Sequence, residues 1–264
     1  MLLRRVVAHL RKQEWTAVAI DFVIVVIGVF IGLQVNNWNA ARLDRAREAL
    51  ILDRLQSDFS RLRAATLVNI DDVSRDYEGL DAVVRSLAHR AVAPADSDRF
   101  RDGLRWGYHY QQLAGRSGTY VELTSSGQVD LINDEALRAA LVDYDQIVSD
   151  SATGFLHIRS LQTAMAPAFT RHYTLSAEAK VDVGESSTVD ASFYSALADV
   201  DAYDFANMLA DPSFRDSAEE LRQMQAYYLG WHRTQFDLVE SVCERLAVSA
   251  SRPCTTPQAE TTAR

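Results

Sequence analysis

Lysine is almost missing from this chain. Only Lys12 and Lys180 occur among the 264 residues, although lysine and arginine together number 27. Basic chemistry therefore rests on arginine, which stays protonated and does not act as a general base or form Schiff bases. This composition argues against enzymes whose reaction depends on a lysine amine.

Motifs that carry familiar chemistry are also absent. The sequence has no G-x-S-x-G or S-x-x-K nucleophile motif and no phosphate loop. None of the six histidines stands in H-x-x-x-H or H-E-x-x-H spacing. Carboxylates are too numerous for any pair to stand out as acid and base. The sequence therefore predicts no catalytic residues, no cofactor and no metal site.

Cysteine is scarce, with only Cys243 and Cys254. In an oxidising compartment the pair predicts a disulfide that contributes somewhat under about 3 kcal/mol. Pro253 favours a turn of the chain back toward Cys243. The alternative is two separate thiols.

The charge is unevenly distributed. The chain carries a net charge of −9; residues 1–40 contribute four basic and two acidic side chains, a net of +2, so residues 41–264 carry −11. An acidic body repels phosphate backbones, which argues against nucleic acid as a partner.

A long apolar run near the start is the clearest feature that is present. The 19 residues 17–35 are apolar or small with two exceptions, and Trp15 and Trp38 bracket them. About 20 helical residues cross a hydrocarbon core of roughly 30 Å, and tryptophan favours its two interfaces. We therefore predict a short basic arm at 1–14 and a transmembrane helix at 15–38 in contact with the lipid bilayer.

A cleaved signal peptide is the alternative for this run, but residues 34–39 are bulky and polar rather than small. Four basic residues precede the span and three arginines follow it, so the charge bias is small. The short arm is more easily left inside than a large acidic domain. We expect a single-pass protein of a bacterial inner membrane, with its N-terminus in the cytoplasm and its body in the periplasm.

Three residues in the span are candidates for contacts between helices. Asp21 is an ionisable group inside the apolar run, either a polar contact or proton relay, or a hydrated carboxylate near the interface. Gly28 and Gly32 form a G-x-x-x-G pair that lets two helices approach closely. The pair hints at a homo-oligomer through the span and the long helix.

Two motifs resemble those of a family of uncharacterised bacterial single-span membrane proteins. Gly28–Asn39 reads GVFIGLQVNNWN and is similar to that family's span, which ends in L-Q-[IV]-N-N-W-N. Thr119–Ile132 reads TYVELTSSGQVDLI and is similar to its internal T-[FY]-x-E-L-x-S-S-G-x-[LV]-x-L-I. Gly32 and Ala40 depart from the usual alanine and glutamate. The resemblance implies a membrane anchor and a helical body, but no activity.

The pattern beyond the span predicts an all-α fold, in which the membrane helix continues into a long helix of an elongated antiparallel bundle. We assign residues 39–248 to a helical extracytoplasmic domain and 249–264 to a flexible polar tail. The strongest signal is an apolar stripe with spacings of three and four, typical of a coiled-coil or bundle helix. Its members are Leu52, Leu55, Phe59, Leu62, Thr66, Ile70, Val73, Tyr77, Leu80, Val84 and Leu87.

Local signals mark the other elements. Thr119 and Glu122 predict a capping box, Asn133 an N-cap, and Asp211-Pro212 a helix start. Further predicted segments are helices at 100–112 and 192–209 and an exposed connection at 176–190.

Two aromatic groups are weak candidates for a ligand pocket, with packing as the alternative explanation. The first group is Arg105, Trp106, Tyr108, His109 and Tyr110, and the second is Tyr227, Tyr228, Trp231 and Phe236.

We carry three hypotheses on function. The first is a non-enzymatic scaffold or accessory protein of the bacterial envelope that acts through contacts with an unknown envelope protein. The second is an external ligand-sensing domain that signals through a partner, and the third is an enzyme of unrecognised type.

Overall fold

The computed structural model describes residues 15–176 and 199–255. The chain divides into two compact units, residues 1–50 and residues 51–264. The described residues confirm the predicted all-α class, with one small β-ribbon added. The helices are α1 (Trp15–His89), α2 (Ser97–Trp106), α3 (Gly118–Ser126), α4 (Glu135–Phe169), α5 (Phe205–Ala210) and α6 (Pro212–Ala250). The strands β1 (Tyr173–Leu175) and β2 (Val200–Tyr203) pair antiparallel, and 3₁₀ turns lie at Pro94–Asp96, Val129–Leu131 and Thr170–His172.

In the first unit, the described residues all belong to α1. Large apolar side chains from Ile20 to Val35 and the ring of Trp38 are exposed. This part of α1 contains a stretch long and apolar enough to cross a membrane, and none of that stretch is buried. A helix that is apolar all round and uncovered by protein is suited to a lipid environment.

In the second unit, α1 buries the predicted apolar stripe. Every stripe position from Leu52 to Leu87 is buried or half-buried. Seven-residue spacing keeps such positions on one side of a helix and provides a seam for packing. The fully buried or nearly buried stripe residues at that spacing are Leu52, Phe59, Thr66, Val73, Leu80 and Leu87.

The core of this unit forms apolar clusters at different levels of the long helices. One cluster surrounds Phe59 and Tyr144, whose rings meet edge to face at 5.1 Å. Another surrounds Phe169 and Phe214, whose rings stack at 5.4 Å. Along α1 and α6, a smaller cluster containing Tyr228 lies between these two levels.

Helix α3 begins two residues earlier than the predicted capping box. Ser117, rather than Thr119, is the N-cap and accepts a hydrogen bond from Tyr120 N. Asp58 of α1 accepts from the Thr119 backbone N–H at 3.0 Å and from the Ser117 hydroxyl at 2.9 Å. Burial acts to raise the pKa of Asp58, but these hydrogen bonds bring that pKa below its ordinary value. The predicted partner Glu122 instead forms an ion pair with Arg54 of α1.

The other residues of the 119–132 motif have structural roles too. Tyr120, Leu123 and Ile132 are buried in the first core cluster. Gly127 ends α3 in the left-handed conformation with a φ of 68°, as its position in the motif predicts. The motif therefore docks a short helix and its exit turn against α1.

The sequence predicts an N-cap for each of the long helices α4 and α6. The structure moves the first by one residue and confirms the second. Asp134, not Asn133, caps α4 and accepts from the backbone N–H groups of Ala136 and Leu137. Asp211 caps α6 and Pro212 occupies its first turn, as predicted.

The predicted helix over 192–209 is wrong at residues 200–203, which form β2. Tyr203 pairs with Tyr173 of β1, so the strand depends on a partner distant in sequence. Residues 192–198 and most of the predicted connection at 176–190 lie outside the described residues.

Candidate functional site: a buried polar layer and nearby surfaces

Residues 107–117 cross the second unit without regular helix or strand. The predicted helix over 100–112 is therefore wrong beyond Trp106, where α2 ends. Helix α2 packs very closely on α1 here, since a Cβ at Gly103 would lie 2.2 Å from the Gly79 carbonyl oxygen. Helix α2 ends at this crossing. The backbone groups of the residues that follow form hydrogen bonds with side chains instead of with the backbone of a helix.

Two fully buried glutamines of α6 bind this segment. Gln235 donates to the Ala114 carbonyl at 2.7 Å and accepts from the Ala114 N–H at 3.0 Å. Gln225 donates to the His109 carbonyl at 2.6 Å. A buried backbone group without a partner costs about 1–3 kcal/mol, so these amides make an irregular buried segment possible.

Side chains from α1 and α4 complete the layer. Asn69 of α1 donates to the Gln112 carbonyl at 3.2 Å and accepts from the Gln111 side chain at 2.9 Å. The Tyr144 hydroxyl of α4 donates to the Gly115 carbonyl at 2.7 Å. We call these groups and His232 the polar layer: Asn69, Tyr144, Gln225, His232 and Gln235.

The imidazole of His232 belongs to the polar layer, and the protein encloses it completely. Its Nε2 lies 3.2 Å from the Gln111 carbonyl oxygen, which only accepts, so Nε2 carries the hydrogen. Within the described residues its Nδ1 is buried without a hydrogen-bond partner. Burial lowers the pKa of His232 to about 4, against an opposing effect of the Gln111 bond. The imidazole is therefore neutral near pH 7.

A buried carboxylate lies beside the same segment. Asp76 of α1 is almost fully buried, and its Oδ2 lies 3.3 Å from His109 Nδ1. Burial raises the pKa of Asp76, and the contact with His109 acts against that rise. This contact links α1 to the segment.

The other residues of the first predicted aromatic group differ in their neighbours and in their exposure. Arg105 lies over the Trp106 ring at 4.7 Å and pairs with Asp199 at 2.5 Å. Tyr108 is exposed. The Tyr110 ring lies 6.3 Å from Phe155 and 6.4 Å from Tyr228, in the middle cluster. Among the described residues, Arg105 and Tyr110 thus have separate sets of neighbours.

Arg105 does border an open surface hollow of about 360 Å³. Its lining carries both signs of charge and consists of Asp98, Arg101, Asp102, Arg105, Asp199 and Val200. Burial raises the pKa of Asp102, and the charge of Arg105 acts against that rise.

The second aromatic group lies along α6, where it meets α4. The ring of Tyr228 is buried and stacks on Phe155 at 5.3 Å, whereas Tyr227 is exposed and Trp231 is half-buried. Tyr227 and Trp231 border a surface hollow of about 450 Å³ and a small cavity of about 50 Å³. Phe236 is half-buried further along α6.

Cys243 and Cys254 form a disulfide with Cα atoms 5.3 Å apart. The chain after α6 returns to α1, where Arg252 pairs with Asp53 at 2.5 Å. Gln56 donates to the Pro253 carbonyl at 3.0 Å. Residues 249 and 250 of the predicted loose tail therefore belong to α6, and contacts with α1 hold the segment that follows, up to residue 255. Residues 256–264 lie outside the described residues.

Of the three candidates in the span, Gly28 and Gly32 are exposed, and apart from the adjoining backbone of α1 itself no atom of the described residues lies within 4 Å of a Cβ built on either. Asp21 lies in α1, and its side chain is outside the described part of the structure.

The residues of the polar layer were not identified as candidates from the sequence. A signal was present, because α6 has a stripe with alternating spacings of four and three in which polar residues replace apolar ones. Its members are Leu221, Gln225, Tyr228, His232, Gln235, Val239, Val242 and Leu246, all buried. Among residues 15–176 and 199–255, no group of three or more His, Cys, Asp or Glu side chains is placed to hold a metal ion.

No family model matches the chain, and no match was found among curated proteins or solved structures. The resemblance to the single-span family therefore rests on the two motifs alone.

Proposed function

We propose that this protein is a single-span bacterial inner-membrane protein whose periplasmic helical body acts as a scaffold or accessory subunit through contacts with other envelope proteins. The observation that carries the proposal is α1, in which the exposed apolar stretch of the first unit and the packed stripe of the second belong to one helix. A helix without a break ties the membrane anchor directly to the body. The Cys243–Cys254 bond supports the periplasmic placement, because disulfides persist in oxidising compartments. Membership of the single-span family is part of the same proposal.

Topology and thiol state test this proposal together. In a Cys243→Ser, Cys254→Ser background, Ser160→Cys places one thiol on the exposed surface of α4. We expect an impermeant thiol reagent to label it in intact cells, the chain to stay in membranes after carbonate extraction, and the native cysteines to be bonded. Labelling only after permeabilisation, with both native thiols free, would invert the orientation. Release by carbonate would refute the anchor.

A ligand-sensing body is the second candidate, and the hollow beside Arg105 and Asp199 favours it. Its mixed charges suit a small zwitterion. A ligand that binds the folded state raises the melting temperature by mass action. A screen of zwitterionic metabolites that leaves the melting temperature of the wild-type chain unchanged would count against a sensor, whereas a shift abolished by Arg101→Gln would support it.

A further inference from the structure

Helix α1 is exposed on all sides through most of the first unit, and one set of its residues continues along the same side past the apolar stretch. At about 100° per residue, a set of six residues falls within an arc of about 60° on the helix. We call it the juxtamembrane face, and its members are Gly28, Gly32, Asn39, Leu43, Ala46 and Leu50. All six are exposed. The glycines lie within the apolar stretch, and the leucines lie within the charged part that follows.

The two leucines on this face lie beyond the apolar stretch, and Leu50 lies beyond the reach of lipid. Leu43 is 51% exposed and Leu50 is 65% exposed, in a segment otherwise rich in charged residues. Leu50 lies twelve residues beyond Trp38, about 18 Å along the helix axis. The headgroup layer is only about 5–8 Å thick on each side of the hydrocarbon core, so lipid does not reach Leu50 if Trp38 marks the interface. A heptad spacing between exposed leucines is typical of a helix–helix seam.

Charge decides between possible partners. Arg42 and Arg47 flank the juxtamembrane face, one on each side and about 70° from its centre, and both are exposed. Two copies in one membrane share an orientation, so they would pair in parallel and set Arg42 of one copy against Arg47 of the other. Asp44 forms an ion pair with Arg47 at 3.2 Å, but both side chains are exposed, so the pair offsets only part of the Arg47 charge. A second copy is therefore a poor occupant of this face.

We propose that the juxtamembrane face binds a membrane-spanning helix of a different protein, with small residues opposite Gly28 and Gly32 and aliphatic residues flanked by acidic ones opposite Leu43 and Leu50. This inference rests on the proposed membrane anchor and specifies the partner of the accessory role. The glycines allow the two backbones to approach inside the bilayer. Outside it, the leucines provide apolar contact and the arginines select acidic flanks.

The test uses the full chain reconstituted in phosphatidylcholine vesicles and two dansyl-labelled synthetic helices. Both peptides carry a span with a G-x-x-x-G pair and leucines at the levels of 43 and 50, flanked either by glutamates or by lysines. Quenching of Trp38 fluorescence reports binding, and the Trp38→Phe chain gives the background. Arg42 and Arg47 would form two attractive pairs with the glutamate peptide and two repulsive pairs with the lysine peptide. We therefore expect the glutamate peptide to bind about tenfold more tightly.

Variants make the outcome specific. Arg42→Glu with Arg47→Glu should reverse the preference, whereas Arg45→Glu, on the far side of the helix, should leave it in place. Leu43→Asn with Leu50→Asn should weaken both peptides. Equal binding of the two peptides, or a stable dimer of the chain alone in sedimentation equilibrium, would overturn the inference. Failure of the chain to float with the vesicles would refute the membrane anchor itself, independently of the peptides.

Discussion

Lowering the pH should destabilise the second unit through one histidine. His232 is fully enclosed, and burial lowers its pKa from 6.5 to about 4. The unfolded chain therefore takes up this proton at a higher pH than the folded chain. Stability contributed by the neutral ring is fully present above about pH 6.5 and is lost as the pH falls toward 4.

The size of the effect follows from the two pKa values. Between pH 7 and pH 5 the linkage relation gives a loss of about 2 kcal/mol in the free energy of unfolding. His232→Gln keeps a donor for the Gln111 carbonyl and has no proton to take up. The wild type should therefore lose about 2 kcal/mol more than this variant over the same interval, because the other titrating groups are common to both.

Urea unfolding of the full chain in neutral detergent at pH 7, 6 and 5, followed by tryptophan fluorescence, measures this difference. His157→Gln is the matched control, since His157 is exposed on α4 and its replacement should leave the wild-type pH dependence in place. Parallel curves for wild type and His232→Gln would refute the reasoning, because they would mean that His232 takes up no extra proton on unfolding.

Three further changes test the packing. Gly103→Ala should destabilise the unit by more than about 3 kcal/mol, because its Cβ would meet backbone at 2.2 Å, whereas Gly115→Ala has open space and should cost little; similar melting temperatures for the two would contradict this. Gln235→Leu leaves both backbone groups of Ala114 without partners and should cost about 2–4 kcal/mol in urea unfolding, and a neutral result would mean that water or another donor replaces the amide. Cys254→Ser should lower the free energy of unfolding by about 3 kcal/mol or less. Dithiothreitol should cause the same loss in the wild type and no further loss in the variant.

Patterns of local spacing made α1 and α6 predictable. The stripe from Leu52 to Leu87 repeats at helical spacing over ten turns, and Asp211-Pro212 carries its own start signal. Such signals lie within a few residues of the feature they predict, so one sequence is enough to read them.

The site was not predictable in this way, because its hydrogen bonds connect distant parts of the chain. Gln235 and Ala114 are 121 residues apart, and nothing near residue 114 shows that a side-chain amide will replace its helical partners. Asp58 likewise favours Ser117 as the cap of α3 from 59 residues away. Strand β2 was missed for the same reason, since its partner β1 is separated from it in sequence.

The return of the chain onto α1 has a consequence for the way the second unit is connected. The backbone N–H of Thr255 donates to the Ser60 hydroxyl at 3.1 Å, so residue 255 lies beside the part of α1 with which the second unit begins. Adjacent entry and exit points allow a domain to be inserted in, or fused to, another protein at one location. A short linker from residue 255 to residue 51 should therefore permit circular permutation, with new ends opened in an exposed turn.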